Sequence, residues 1–329
     1  MITFIKKLFA KESKPIKGLM AVEWSVIIYL IITLFIILFL FTDLKSPIAL
    51  IKGRIQILLM ITALWGIYRI YPSRFTKFAR ITVQLALLSW WYPDTYELNR
   101  LFPNLDHIIA RWEQAWFGCQ PALYFAKELP DILFSELFDM GYAAYYPMIA
   151  LTVMYYFIFR YKEFHRVAFI ILTSFFIYYL IYIFFPVVGP TYYYKAIGLK
   201  AVADGYFPSI GNYFNFHQSC LPSPGYTNGL FYHLVERAKD AGERPTAAFP
   251  SSHVGISTIC MLLLWRSNNR KLTYCLIPIY FLLCCATVYI QAHYFIDVIG
   301  GFISAIIIYF TLLLTTSKLI EGKQNLKSK

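Results

Sequence analysis

The chain has 329 residues, of which 59% are hydrophobic and only 15% are charged. Soluble domains carry roughly a quarter charged residues, so this composition excludes an ordinary soluble domain and indicates a protein surrounded largely by lipid. The formal net charge of +12 does not indicate a nucleic-acid partner, because the basic residues collect in loops on one side of the predicted membrane spans.

Eight apolar segments reach or approach the roughly 17–25 residues needed to cross a bilayer. The clearest is AVEWSVIIYLIITLFIILFLFT at 21–42, which is too long for the core of a signal peptide and precedes no small-residue cleavage site. The others lie at about 55–71, 77–92, 139–160, 167–186, 252–266, 272–290 and 294–316, and the segments 77–92 and 252–266 are short. The sequence therefore predicts an all-α integral membrane protein with about eight transmembrane helices.

The charge distribution predicts the orientation of these helices. With the N-terminus in the cytoplasm, the cytoplasmic segments hold 19 of the 30 Lys and Arg residues and only three acids. This is the positive-inside pattern, so we expect both termini in the cytoplasm. The small size of the protein favours a bacterial inner membrane.

Four parts follow one another along the chain. They are N-terminal membrane helices at 1–92, an outward amphipathic segment at 93–138, a second membrane domain at 139–316 and a basic cytoplasmic tail at 317–329. In the outward segment, LDHIIARWEQAWFG has apolar positions at helical spacing, which predicts a helix lying on the outer surface. A second outward segment, 187–251, is long enough to indicate a functional loop. Cys119 and Cys220 lie in these two segments and could form a disulfide if that side is oxidising.

The motif HYFID places His293 and Asp297 four residues apart. On a helix they share a face, so the carboxylate can hold one ring nitrogen and leave the other as a nucleophile or base. Ionisable pairs at a membrane boundary are functional candidates. The structural alternative is a hydrogen bond that caps the last helix.

The motif AFPSSH predicts the start of another membrane helix. Pro250 suits the helix start, Ser251 or Ser252 suits the N-cap, and free N–H groups there form an anion site beside His253. A capped helix with an interfacial histidine is the structural alternative. The predicted topology brings both motifs to the outer face at the same depth.

Two histidines, a carboxylate and an anion site indicate phosphoryl transfer through a phosphohistidine. One histidine attacks phosphorus, Asp297 orients it, and the other protonates the leaving oxygen. Cations must balance the charge of the transferred group. Arg244, in ERPTAAFPSSH, is the best-placed candidate, and Lys195, Lys200, Arg237 and Lys239 lie elsewhere in the loop.

PSSH followed by HYFID resembles the second and third motifs of the type 2 phosphatidic acid phosphatase (PAP2) superfamily. The resemblance implies a helical-bundle core with His293 as nucleophile, Asp297 as its assistant, His253 as general acid, and Ser251 or Ser252 on the phosphate. The sequence departs from the family motifs at two places where the family has phosphate-binding cations. Ala286 and Thr287 stand where the family has Ser-Arg, and the nearest first motif is RAKDAGERP, with Arg237 for the lysine and Arg244-Pro245 at its end. FFPVVGPTYYYK at 184–195 occupies a better position for that motif but lacks its arginine.

Within the superfamily the chain resembles the inositol phosphorylceramide synthase branch. The resemblance covers roughly 105–315 and rests on IARWEQAWFG, GYAAYYPM, AFPSSH and VYIQAHYFIDVIGG, including the aromatic Tyr294 after the nucleophile position. It implies transfer of a phospho-alcohol head group from one phospholipid or sphingolipid to the hydroxyl of another. The predicted topology puts this reaction at the outer face, and the phosphohistidine mechanism needs no metal or cofactor.

Three alternatives stay open at this point. The same residues would serve a lipid phosphatase acting on phosphatidate, phosphatidylglycerol phosphate or a polyprenyl diphosphate. A transporter or scaffold would need only an inert His–Asp cap. A zinc site would use His253, His293 and Asp297, with His217 and His233 as further candidates. The sequence specifies neither the head group and acceptor nor the oligomeric state.

Overall fold

The computed structural model describes the backbone of residues 2–242 and 244–325 and the side chains of 6–239 and 244–316. Within these ranges the protein is built from helices, and no strand forms beyond two isolated bridges, Lys11 with Ser73 and Val187 with Ala247. The predicted all-α class is confirmed. The side chains of the predicted basic tail, 317–329, lie outside the described residues.

The N-terminal part contains five helices: α1 (Ile2–Phe9), α2 (Ala21–Phe39), α3 (Pro47–Ile70), α4 (Arg74–Ala86) and α5 (Leu88–Asn99). Two buried ion pairs join them. Arg80 Nη2 lies 2.6 Å from Glu23 Oε2, and Arg54 Nη2 lies 2.8 Å from Asp94 Oδ2. Because a buried charge is costly without its partner, each pair fixes the register between its two helices.

The middle of the chain forms α6 (Asp106–Phe117), α7 (Pro121–Glu128), α8 (Ile132–Ala143), α9 (Tyr145–Phe159) and α10 (Tyr161–Phe184). The predicted span 139–160 is divided between α8 and α9, which meet at an angle of 45°. Pro147 accounts for the break, because a proline ring clashes with the carbonyl four residues earlier, here that of Ala143.

The remainder forms α11 (Pro190–Ile197), α12 (Leu199–Ala203), a 3₁₀ turn (Tyr213–Asn215), α13 (Leu230–Gly242), α14 (Ser252–Arg266), α15 (Arg270–Tyr289) and α16 (Phe295–Asn325). The outward segment 187–251 is therefore partly helical. Cys119 and Cys220 are not joined by a disulfide.

Five helices in the described ranges are long and apolar enough to cross a membrane: α2, α3, α10, α15 and α16 up to Thr316. The bent pair α8 and α9 would make a sixth span. The two segments noted above as short are the ones that do not qualify. Residues 77–92 are divided between α4 and α5, and 252–266 coincide with the 15-residue α14.

Helix α10 lies at the centre of the bundle. It packs against the N-terminal helices α2, α4 and α5 and also against α9, α14 and α16. One hydrophobic cluster therefore runs from the N-terminal helices through α10 to α14. A second cluster, around Ile109, Tyr194 and Tyr294, lies between the outward segments and the start of α16.

Candidate active site

The two histidine motifs meet at the junction of α14 and α16. His253 is the second residue of α14, and His293 lies two residues before α16. His293 Nε2 is 3.4 Å from His253 Nδ1, and the ring centroids are 5.6 Å apart. The convergence expected from the sequence is therefore present.

The hydrogen bond of His293 to the main chain determines which ring nitrogen carries its proton. His293 Nδ1 is 2.8 Å from the carbonyl oxygen of Ala248, and Asp297 Oδ2 lies 3.4 Å from the same nitrogen. A carbonyl can only accept, so Nδ1 carries the proton and Nε2 keeps the lone pair. Asp297 does face His293 as predicted, but the nearer acceptor is a backbone carbonyl that the sequence analysis did not anticipate.

Asp297 also connects the starts of the two helices. Its Oδ2 accepts a hydrogen bond of 2.9 Å from the Tyr294 N–H, and its backbone carbonyl accepts one of 3.0 Å from the Ser251 N–H. One turn further along, a Cβ on Gly301 would lie 2.5 Å from the Ser251 carbonyl oxygen. Only glycine at this position lets the two backbones approach so closely.

The start of α14 differs from the anion site predicted for it. Ser251 is the N-cap, and its hydroxyl accepts from the Val254 N–H at 3.3 Å. The Ser252 N–H donates to the Tyr182 hydroxyl at 3.0 Å. These two N–H groups already have protein acceptors, so an anion would have to compete for them. Ser251 is fully buried, whereas Ser252 lines the cavity described next.

A cavity of about 340 Å³ opens beside the half-buried His253. Its walls come from residues 85–92 of α4 and α5, from α8 and α9, and from α10. Most of the lining is apolar or aromatic, and Ser89, Lys239, Ser252 and His253 are among its polar residues. The imidazole of His253 packs against Tyr142 and Tyr145, with ring centroids 4.7 and 4.3 Å away.

Of the candidate cations, Lys239 lines this cavity, whereas Arg244 and Lys195 do not. Lys239 is 9% exposed, donates to the Ser223 hydroxyl and lies 3.3 Å from Glu236 Oε1. Lys195 and Arg244 are both exposed and neither lines the cavity; Lys195 Nζ donates to the Cys220 carbonyl at 3.0 Å. Their assignment to substrate stays a prediction.

At the position of the missing family arginine, Thr287 is fully buried. Its hydroxyl donates to the Cys284 carbonyl at 2.8 Å, within its own helix, and its carbonyl accepts from the His293 N–H at 3.0 Å. The side chain therefore stabilises the turn that leads into His293.

Asp106 is an organising residue that the sequence analysis missed. Its carboxylate is fully buried and accepts from the Val188 N–H at 2.7 Å, the Gly189 N–H at 2.9 Å, the Asn104 amide at 2.6 Å and the Tyr294 hydroxyl at 3.0 Å. Burial raises the pKa of Asp106 to about 7, against the four hydrogen bonds that lower it.

The loop held by Asp106 in turn holds His293. Its Val187 carbonyl accepts from the Ala248 N–H at 2.8 Å, and the Thr191 N–H donates to the Gln291 carbonyl at 2.9 Å. The loop thus contacts both the residue whose carbonyl holds the imidazole and the residues just before His293.

No group of three or more His, Cys, Asp and Glu side chains is arranged to hold a metal ion anywhere in the described part of the chain. His217 and His233 are exposed, and the ring of His217 stacks on Tyr213 at 4.2 Å. The geometry gives no support to the zinc alternative.

A helical membrane bundle that pairs a buried histidine and carboxylate with a second histidine defines a class of membrane phosphatases and phosphotransferases. The sequence profile of the PAP2 superfamily matches residues 107–311. The chain therefore belongs to the PAP2 superfamily. Comparison with curated proteins gave no significant match, and neither did comparison with solved structures.

Proposed function

We infer that the protein is a lipid phosphotransferase, which moves a phospho-alcohol head group from one membrane lipid to the hydroxyl of another. The observation that carries this proposal is a pair of imidazoles in contact, one of which, His253, lines a mainly apolar cavity among membrane helices. Membership of the PAP2 superfamily supports phosphoryl chemistry at this pair.

In the first step, the lone pair of His293 Nε2 attacks phosphorus. A P–N bond forms, and the bond from phosphorus to the diacylglycerol oxygen breaks. His253, in its protonated form, gives a proton to the departing oxygen, so diacylglycerol leaves as an alcohol. The N–H at His293 Nδ1 stays on the Ala248 carbonyl with Asp297 alongside, which stabilises the positive charge that develops on the ring.

In the second step, the hydroxyl of the acceptor lipid attacks phosphorus and the P–N bond breaks. His253 takes the hydroxyl proton and is ready for the next cycle. A hydrolase differs only in that water attacks instead of the lipid hydroxyl. His293 is 3% exposed and the cavity beside it is mainly apolar, which favours an acceptor from the bilayer over water.

Substrate binding has to rearrange this site. A reacting phosphorus approaches its nucleophile to about 3–3.5 Å. With only 3.4 Å between His293 Nε2 and His253 Nδ1, no phosphoryl group fits on the line between them. We expect the His253 ring to turn against Tyr142 and Tyr145 and so give the head group access to Nε2.

The substrate class and the orientation belong to the same proposal. The resemblance to the inositol phosphorylceramide synthase branch favours an inositol phosphate head group and a ceramide-like acceptor. The clustering of Lys and Arg in alternate loops supports cytoplasmic termini and a site at the outer face, in a bacterial inner membrane.

The test uses purified protein in lipid nanodiscs with phosphatidylinositol labelled at phosphorus and ceramide as acceptor. We expect label in a new acceptor lipid, and label on histidine when the reaction is stopped without acceptor. His293→Gln should abolish both, while His217→Gln, which changes an exposed imidazole, should abolish neither.

Other outcomes would decide among the alternatives. Water-soluble labelled phosphate or inositol phosphate as the sole product would indicate a hydrolase. Equal turnover by the wild type and His293→Gln would refute the nucleophile assignment. Absence of turnover on every phospholipid, phosphatidate and polyprenyl diphosphate would favour the transporter or scaffold alternative.

A further inference from the structure

Helix α6 presents two acids on its buried face. Asp106 and Glu113 are seven residues apart, which is two helical turns, and both are fully buried with Ile109 and Ala110 between them. Outside this face, α6 exposes Trp112, as expected for a helix at a membrane surface. The buried face is therefore unusually acidic for an amphipathic helix.

Glu113 caps α16 from outside that helix. Its Oε1 accepts from the N–H groups of Phe295 and Ile296, the second at 3.2 Å. These N–H groups belong to the first turn and have no acceptor within α16. Asp297 caps the same helix from within, through its Oδ2 and the Tyr294 N–H. Two carboxyl groups thus share one helix start, immediately behind His293.

Each of these carboxyl groups has one oxygen without a partner. Glu113 Oε2 and Asp297 Oδ1 are both buried and make no hydrogen bond. The two carboxyl groups lie close together, because they accept from the consecutive N–H groups of Tyr294, Phe295 and Ile296. Two neighbouring buried carboxylates cannot both ionise cheaply, and a buried oxygen without a donor is costly as well. One proton held between the two groups would relieve both costs.

Several titratable groups face this pair from the surrounding elements. Tyr194 of α11 lies within electrostatic range of Glu113, Asp297 and Asp106, and its hydroxyl donates to Gln120 Oε1. The Tyr294 hydroxyl donates to Asp106. Both hydroxyl protons are therefore engaged with other acceptors.

We propose that Glu113 and Asp297 share one proton, on their two otherwise unpartnered oxygens, and that Glu113 is thereby a positioning residue for His293. The proposal rests on His293 being the nucleophile. The shared proton holds Asp297 so that its other oxygen faces His293 Nδ1, and it leaves a single negative charge behind the imidazole.

The proton should be lost at mildly alkaline pH. Burial and the neighbouring Asp297 raise the pKa of Glu113 to about 8. Below that pH the carboxyl is protonated. Above it, two like charges repel each other in the first turn of α16, and the folded state binds fewer protons. Between the ordinary pKa of a glutamate and about 8, stability should fall as the pH rises, because there the folded state holds more protons than the unfolded state.

The experiment compares Glu113→Gln, Glu113→Ala and the exposed control Glu128→Gln across pH in nanodiscs. The glutamine amide can accept from the two N–H groups and donate to Asp297, as the protonated acid does. We expect the wild type and Glu128→Gln to lose kcat above about pH 8. Glu113→Gln should keep kcat within a few fold without that inflection, and Glu113→Ala should lose at least about tenfold in kcat with KM little changed.

The proposal is overturned if Glu113→Gln keeps the alkaline inflection or loses as much kcat as Glu113→Ala. Infrared spectroscopy provides a readout that does not need turnover. Because the pKa of Asp106 is also raised, to about 7, the readout is the difference between the wild-type and Glu113→Gln spectra, which should show a protonated-carboxyl band at pH 7 and none at pH 9. A difference spectrum without that band at pH 7 would overturn the shared proton even if His293 proves to be the nucleophile, whereas failure of the phosphotransfer assay alone would leave the band present.

Discussion

Gly189 offers the sharpest test of how the backbone positions His293. It lies in the loop held by Asp106, with φ +92° and ψ 166°, a region that is essentially restricted to glycine. A Cβ at this position would lie 2.4 Å from the Ala292 carbonyl oxygen and 3.3 Å from the Ala248 Cβ. Ala292 precedes His293, and Ala248 supplies the carbonyl that holds its imidazole. Gly189→Ala should therefore disturb both supports of His293.

Gly189→Ala should have two effects, one on stability and one on the reaction rate. The backbone strain should cost about 1–3 kcal/mol of stability. The contact must also open from 2.4 Å to at least 3.0 Å, a displacement of 0.6 Å in the segment that carries His293. Because a 1 Å misplacement of reacting groups costs about 100-fold in rate, we expect kcat to fall about 10- to 100-fold.

Gly198→Ala is the matched control. Gly198 has φ +84° and ψ 141°, similar to Gly189, but a Cβ there meets no atom within 4 Å. It should show the strain without the displacement, so thermal unfolding should shift in both variants and kcat per folded molecule should fall only in Gly189→Ala. Equal kcat in the two folded variants would refute the role of the loop in positioning His293.

Three further predictions concern the site and its cavity. Asp297→Asn should lower kcat about 100-fold or more in a turnover assay, because the imidazolium that develops on His293 loses its counter-charge. A kcat within a few fold of the wild type would mean that the Ala248 carbonyl alone is enough to support the His293 ring. Lys239→Gln should raise KM about 10- to 100-fold, because the head group loses a charged partner at the cavity, while the exposed control Arg237→Gln should not. Equal effects of the two substitutions on KM would show that Lys239 does not bind the head group. Ile149 lines the cavity, so Ile149→Trp should raise KM for long-chain lipids more than for short-chain analogues. The control Ile158→Trp, on the exposed face of the same helix, should not. If KM in Ile149→Trp does not depend on chain length, the acyl chains bind elsewhere.

The sequence was most informative where function depends on local spacing. His293 and Asp297 lie four residues apart on one helix, and Ser251 and His253 follow a proline at a helix start, so each motif could be recognised in isolation. Their convergence required the membrane topology, which the charge pattern indicated.

Contacts between distant segments were beyond the same reasoning. Asp106 binds main-chain groups 82 and 83 residues away, and Glu113 caps a helix 182 residues away. Their spacing with Ile109 and Ala110 was the available signal, but acids in an amphipathic helix are ordinarily assigned to its solvent face. The break between α8 and α9 was also missed, although Pro147 signals it in the sequence.

The wall of the cavity has a consequence for how specificity can change. Residues 85–92 line the cavity, yet they precede the stretch 107–311 that matches the PAP2 superfamily. Part of the proposed lipid-binding surface is thus encoded outside the stretch of chain that carries the histidine pair. Exchanging these N-terminal helices between relatives should retune chain-length tolerance while the histidine pair remains intact.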